Sequence, residues 1–207
     1  MSGEGRRPRL GVLISGRGSN LQAILDAVRD GRLEADVAVV VSNRSAAEGL
    51  GRAAAAGVET LVLDHRASAS RTDYDRVLVE ALRERNVDLV CLAGFMRLLG
   101  PEFVDAFPNA VLNVHPSLLP AFPGLDAQRQ ALEHGVKVSG ATVHVVTADL
   151  DAGPIVRQAA VPVRDDDTVE SLSARILVEE HRIYIEAIRV VLGGRWRVAG
   201  RRFERLP

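Results

Sequence analysis

The chain holds one cysteine, Cys91, in 207 residues, so no disulfide forms within it. Cys91 sits in the apolar run Leu89 to Ala93, where a small thiol is an ordinary core residue. One thiolate cannot build a zinc site. The histidines at 65, 115, 134, 144 and 181 lack H-E-x-x-H spacing, so no metal is expected. No apolar run is long enough to cross a bilayer, and Met1 to Pro8 is not followed by the apolar stretch of a signal peptide, which points to a soluble, cytoplasmic protein with no membrane partner. A repeat at solenoid spacing is missing. So is a basic stripe: 26 Lys and Arg stand against 27 Asp and Glu, with the arginines spread along the chain, and nucleic acid is not an expected partner. There is no G-x-S-x-G elbow, and Ser117 lies too near His115 along the chain to be an easy partner, which disfavours a Ser-His-Asp hydrolase.

What is present reads as α/β. With 47% hydrophobic residues the chain can bury one sizeable core, and a single domain over 1–207 is expected, with 1–8 as a loose tail and 195–207 as a terminal extension. Strands are expected at Leu10 to Ile14, Val37 to Val41, Val58 to Leu63, Asp88 to Ala93 and Ala110 to Val114. Helical patterns separate them, with Ser19 and Thr72 as expected N-caps. Val138 to Thr147 and Ile155 to Val161, joined by the Asp149 to Gly153 turn, read as an antiparallel pair. Thr168, after Asp165-Asp166-Asp167, opens a helix to about Leu192, and Trp196 to Phe203 suits a terminal hairpin around Gly200.

Three stretches carry chemistry. The first is Ser15-Gly16-Arg17-Gly18-Ser19-Asn20, a glycine turn between a strand and a helix, where backbone N–H groups at a helix N-terminus attract phosphate. A plain βα turn with no ligand is the less favoured reading of this stretch alone, although two glycines are also cheap turn residues. Position 21 is Leu and no ribose-binding acid ends the second strand, so a dinucleotide site is disfavoured. The second is Gly94 to Pro101, too apolar for an ordinary connection, which suits either core packing or the lining of a pocket for a flat ring system.

The third begins where Pro116 stops a strand and delivers His115 at its carboxyl end, with Asn113 two residues earlier on the same face. Asp151, in a Gly-Pro-flanked turn, completes a proposed site of Asn113, His115 and Asp151. A carboxylate beside an imidazole favours the charged ring, which together with an amide donor stabilises a developing oxyanion. Such a donor is worth roughly 3 to 4 kcal/mol in comparable sites. The chemistry this suits is acyl or formyl transfer through a tetrahedral intermediate, without a covalent enzyme adduct.

Ser15-Gly16-Arg17-Gly18-Ser19-Asn20-Leu21-Gln22-Ala23, Leu92-Ala93-Gly94-Phe95-Met96-Arg97, Leu112-Asn113-Val114-His115-Pro116-Ser117-Leu118-Leu119-Pro120 and Leu150-Asp151-Ala152-Gly153-Pro154 together resemble the phosphoribosylglycinamide formyltransferases, within the formyltetrahydrofolate-dependent formyltransferase family. The resemblance runs from about Leu10 to Leu192. It implies a mostly parallel seven-stranded sheet with a Rossmann-like N-terminal half, an antiparallel C-terminal hairpin and helices on both faces. It implies transfer of the formyl group of 10-formyltetrahydrofolate to the amine of 5'-phosphoribosylglycinamide, a step of de novo purine biosynthesis, in a possible homodimer. Asn113 and His115 would hold the formyl oxygen, with Asp151 keeping the imidazole charged. Gly16, Arg17, Gly18, Ser19 and Asn20 would take the ribonucleotide phosphate, and Glu180 would reach the same substrate. The folate would lie against Met96, Arg97, Leu98, Leu99, Asn113, Thr147 and Asp151, with Arg71 near its acidic end. Family members often carry a histidine where this chain has Asp126 or Gln128.

Overall fold

A computed structural model describes residues 6–206, which fall into two compact units divided between Val111 and Leu112. Met1 to Gly5, most of the expected tail, lie outside the described residues. Arg6 pairs with Asp88 at 2.8 Å, and the Pro8 carbonyl accepts the Asp36 N–H.

The first unit is a parallel sheet of β1 (Arg9–Ile14), β2 (Asp36–Ser42), β3 (Thr60–Val62) and β4 (Leu89–Leu92), in spatial order β3-β2-β1-β4. Helices α1 (Ser19–Arg29), α2 (Glu48–Ala55), α3 (Arg71–Glu84) and α4 (Pro101–Ala106) connect its strands or follow the last of them. Val12, Leu13, Ile14, Val39, Val40, Val41, Val90 and Cys91 are fully buried, as strands covered on both faces require. The strand order reverses between β1 and β4, and ligands of open α/β sheets bind beyond the carboxyl ends of the strands at such a reversal. The Ser15 N–H donates to the Gly94 carbonyl there, at 3.1 Å.

The second unit holds β5 (Val111–His115) from Leu112 on, then α5 (Ala127–Glu133), β6 (Val138–Val145), β7 (Ile155–Pro162), α6 (Val169–Leu192), β8 (Trp196–Ala199) and β9 (Arg202–Arg205). The β5–β6, β6–β7 and β8–β9 pairs are antiparallel, and β9 meets β7 in a parallel bridge at Ile155 and Arg202. The seven expected strands and the terminal hairpin are all present. Helix α6 starts in a capping box of Thr168 and Ser171, and Asp167 holds Arg175 about two turns in. Its buried stripe includes Leu172, Ile176, Ile183, Tyr184 and Ile188, and the Tyr184 hydroxyl donates to the Leu112 carbonyl at 3.1 Å, tying the helix to β5. Among the described residues, no helix is long and apolar enough to cross a membrane.

Two expected caps move. Gly18, not Ser19, is the N-cap of α1, and Ser70, not Thr72, caps α3 by accepting the Asp73 N–H at 3.1 Å. Ser70 has extended backbone and its partner lies three residues on, which is the geometry a cap needs. Thr72 is already inside the helix. Strand β3 is three residues long rather than six, because its pairing with β2 spans only Val40 to Ser42.

Candidate active site

Strand β5 ends at His115 because Pro116 has no N–H to continue the ladder. Register sets what faces its two polar residues: Asn113 lies opposite His144 on β6, and His115 opposite Thr142. The Asn113 Nδ2 stands 3.2 Å from His144 Nε2, while His144 Nδ1 lies 3.1 Å from the Val145 carbonyl. A carbonyl only accepts, so Nδ1 carries a proton and donates to it. His115 Nε2 donates to the Phe122 carbonyl at 2.8 Å.

Asp151 faces both rings. Its Oδ2 lies 3.5 Å from His115 Nδ1 and its Oδ1 3.6 Å from His144 Nε2. The Gly124 N–H donates to Oδ2 at 2.8 Å. Burial pushes this carboxyl up, but the His144 contact, the Gly124 N–H and the charges of His115 and His144 outweigh it, and Asp151 is held below the usual carboxylate value. The side chains of His115 and His144 are 5% and 2% exposed, so the charge interactions act with little screening from water. The turn that supplies Asp151 is itself constrained. Asp151 adopts φ 48°, and a Cβ on Gly153 would stand 1.7 Å from the Val145 carbonyl, so only glycine lets the turn close against β6.

Asn113, His115 and Asp151 thus come together as the spacing predicts. His144 joins them, and sequence reasoning missed it. Its signal was the alternation of Thr142 and His144 along one strand, but the partner on β5 depends on a register that no local pattern states. Ser117 is fully buried and donates to the Ala121 carbonyl at 2.5 Å, which removes it as a nucleophile. Thr147 lies just past β6, its hydroxyl 3.4 Å from the Asp149 carbonyl. Glu180 is 7% exposed in the middle of α6. Next to it, burial pushes the His181 imidazole down. Asp126, with φ 56°, caps α5, and Gln130 rather than Gln128 binds the loop, donating to the Leu125 carbonyl at 2.8 Å. Among the described residues, no group of three His, Cys, Asp or Glu has metal-holding geometry.

In the first unit, the glycine turn runs from β1 into α1. Gly18 has φ 72°, and a Cβ there would meet Gly49 Cα at 2.7 Å. The Gly49 N–H donates to the Gly16 carbonyl at 3.0 Å, so α2 packs directly on the turn. Arg52 braces it further, donating to the Arg17 carbonyl at 2.9 Å. Neither Gly49 nor Arg52 was legible as a partner, since both lie a whole strand away. No side chain caps α1, so its first N–H groups remain open to an anion. Arg17 is exposed beside them, whereas Asn20 is buried.

The apolar loop after β4 is both core and surface. Phe95 and Leu99 are buried, while Met96 and Leu98 are 60% and 55% exposed. Of the residues expected to line a pocket, Leu99 therefore packs inward. The loop is pinned at three points. Ser15 Oγ donates to Asn43 Oδ1 at 2.7 Å and accepts the Met96 N–H at 2.8 Å. The Arg97 guanidinium stands 5.4 Å over the Tyr74 ring. Asp75, 1% exposed, accepts the Gly100 N–H at 2.7 Å. Burial raises the Asp75 carboxyl and pushes the Tyr74 hydroxyl up to about 12. Arg71, the first residue of α3, is exposed.

Comparison with known proteins identifies the family. Residues 8–188 match the family model described as formyl transferase. The crystal structure of glycinamide ribonucleotide transformylase 1 from Symbiobacterium toebii is 59% identical, with a TM-score of 0.96 over 100% of both chains. Phosphoribosylglycinamide formyltransferase of Escherichia coli is 49% identical over 84% of this chain and 82% of its own. The human trifunctional purine biosynthetic protein adenosine-3 is 47% identical over 92% of this chain, which spans only 19% of that protein.

Proposed function

Because the chain belongs to the formyl transferase family, we propose that it acts, as one formyltransferase domain, in transferring the formyl group of 10-formyltetrahydrofolate to the amine of 5'-phosphoribosylglycinamide. The observation that carries the chemistry is the buried Asp151 carboxylate facing His115 and His144 at 3.5 and 3.6 Å, beside the Asn113 amide.

The amine attacks the formyl carbon directly, and negative charge grows on the formyl oxygen. His115 Nε2, which donates to the Phe122 carbonyl in this structure, exchanges that acceptor for the formyl oxygen. An oxyanion is the stronger acceptor, so the exchange favours the transition state. Asn113 supplies a second donor. Asp151 balances the positive charge of the imidazole and, through water, takes the proton that the attacking amine must lose. When the intermediate collapses, the C–N bond to the folate breaks, the folate nitrogen takes up a proton, and tetrahydrofolate and the formylated ribonucleotide leave.

The glycine turn fits the ribonucleotide phosphate: uncapped N–H groups at α1 and the exposed Arg17 offer donors and charge where the Gly18–Gly49 approach keeps the backbone fixed. The exposed faces of Met96 and Leu98 fit the folate ring, with Arg71 toward its acidic end. Glu180 would also serve the ribonucleotide, and the reaction would run in the cytoplasm without a metal.

The test is to follow formyl loss from 10-formyltetrahydrofolate with and without the ribonucleotide. Loss should require the ribonucleotide and yield one formylated product per tetrahydrofolate. Equal loss without the acceptor would make the chain a deformylase instead. In Gly18→Ala, the strained backbone and the clash with Gly49 should raise KM for the ribonucleotide about tenfold or more, since a positive φ without glycine costs about 1 to 2 kcal/mol. KM for the folate should change little.

A further inference from the structure

The carboxylate of Asp75 has no part in the chemistry described above, yet it is an expensive group to bury. Asp75 is 1% exposed, its Oδ2 accepts the Gly100 N–H at 2.7 Å, and its Oδ1 is buried without a hydrogen-bond partner. A half-satisfied buried carboxylate costs stability that a neutral side chain would keep. Helix α3 does not require it. Ser70 caps that helix by accepting the Asp73 N–H at 3.1 Å, and Asp73 supplies the acidic side chain of the first turn.

Asp75 follows Arg71 by one helical turn, so the two share a face of α3. Both reach the same point of the loop after β4. A Cβ on Gly100 would stand 2.8 Å from Asp75 Oδ2, 3.7 Å from Arg71 Nε and 4.0 Å from Arg71 Nη2. Gly100 has φ −81°, open to any residue, so it is space and not backbone conformation that calls for glycine there. Among the described residues Asp75 forms no ion pair, and Arg71 donates no hydrogen bond. The charges of Arg71 and Arg97 nevertheless act on the Asp75 carboxyl. That attraction biases where the Arg71 guanidinium sits while leaving its donors open to a ligand.

We propose that Asp75 is a positioning residue for the folate: across the space at Gly100 it holds the Arg71 guanidinium against the loop, oriented for the acidic end of the folate before that substrate arrives. The inference rests on the folate reading given above for Met96, Leu98 and Arg71. An arginine side chain held in place beforehand loses less rotamer freedom on binding, and the difference appears as affinity.

Steady-state kinetics of the full chain tests this, with KM for each substrate measured at saturation of the other. In Asp75→Asn the amide oxygen can still accept the Gly100 N–H, so the loop keeps that anchor while the charge is removed. KM for 10-formyltetrahydrofolate should rise about tenfold, the order expected for a charge-assisted contact, with kcat and KM for the ribonucleotide within about twofold. Gly100→Ala, which displaces the carboxylate and narrows the space beside Arg71, should do the same, and it carries the test if Asp75→Asn does not fold. A folate analogue whose glutamate is replaced by an uncharged amide offers Arg71 no carboxylate there, so with it both variants should match wild type. A penalty that persists with the analogue, or an unchanged or lowered KM for the folate in Asp75→Asn, would overturn the proposal. Equal rises in both KM values would overturn it as well, by showing only a loosened fold. A wild type that transfers no formyl group would instead strike the folate reading itself, and the positioning role with it.

Discussion

In His115→Ala, kcat for formyl transfer is expected to fall by about two to three orders of magnitude, the range seen when one oxyanion donor is removed. The side chain is 5% exposed and sits between the Phe122 carbonyl and Asp151, so no water replaces it at full strength. KM for both substrates should move by far less, because the donor acts on charge that exists only in the transition state. The Asp151 carboxylate remains in the variant, still facing His144 at 3.6 Å. Folding should therefore survive, and a thermal unfolding curve beside the kinetics separates a dead site from a lost fold. A kcat within about threefold of wild type would remove His115 from the chemistry.

Asp151→Asn is expected to cost as much or more, about three orders of magnitude in kcat, because it withdraws the charge that opposes an imidazolium and the group that relays the amine proton. The amide oxygen can still accept the Gly124 N–H, so the turn keeps that anchor. The substitution thus tests charge with little change of shape. It also has a signature in stability. The Asp151 carboxyl is held below its ordinary value despite burial, by His144, Gly124 and the charge of His115. A lowered carboxylate contributes stability that is fully present above its unfolded pKa, about 3.9, and is lost as pH falls through the folded value. Wild type should therefore lose stability below about pH 4 more steeply than Asp151→Asn. Denaturant unfolding at a series of acidic pH values checks this, and parallel curves would mean that the carboxylate is not specially held.

The cluster of Asn113, His115 and Asp151 was legible because each of the three sits where short-range rules suffice. Pro116 ends a strand at His115, period two places Asn113 on the same face, and Gly153-Pro154 marks the turn that presents Asp151. His144 was not legible, since it meets Asp151 and Asn113 only through the register of β5 on β6 and a bulge near Val143 and His144 against β7. The glycine turn shows the same division. Its two glycines announce a turn, yet Gly16 has open space around it, and Gly18 alone is required by its close approach to Gly49. That approach joins residues 31 positions apart, beyond any local pattern. Capping failed for a simpler reason. Ser19 and Thr72 had suitable chemistry, but the helices start where backbone dihedrals allow, at Gly18 and Ser70.

Direct transfer at the Asn113, His115 and Asp151 site is tested most closely by the fate of an isotopically labelled formyl group in a single turnover. Enzyme in excess would be mixed with labelled 10-formyltetrahydrofolate and the ribonucleotide, quenched over time, and the label counted on folate, product and protein. Label should pass from folate to the ribonucleotide with none on the protein at any time, and in His115→Ala it should stay on the folate. Label appearing on the protein and then leaving at the rate of product formation would contradict direct transfer, by showing a covalent formyl-enzyme intermediate.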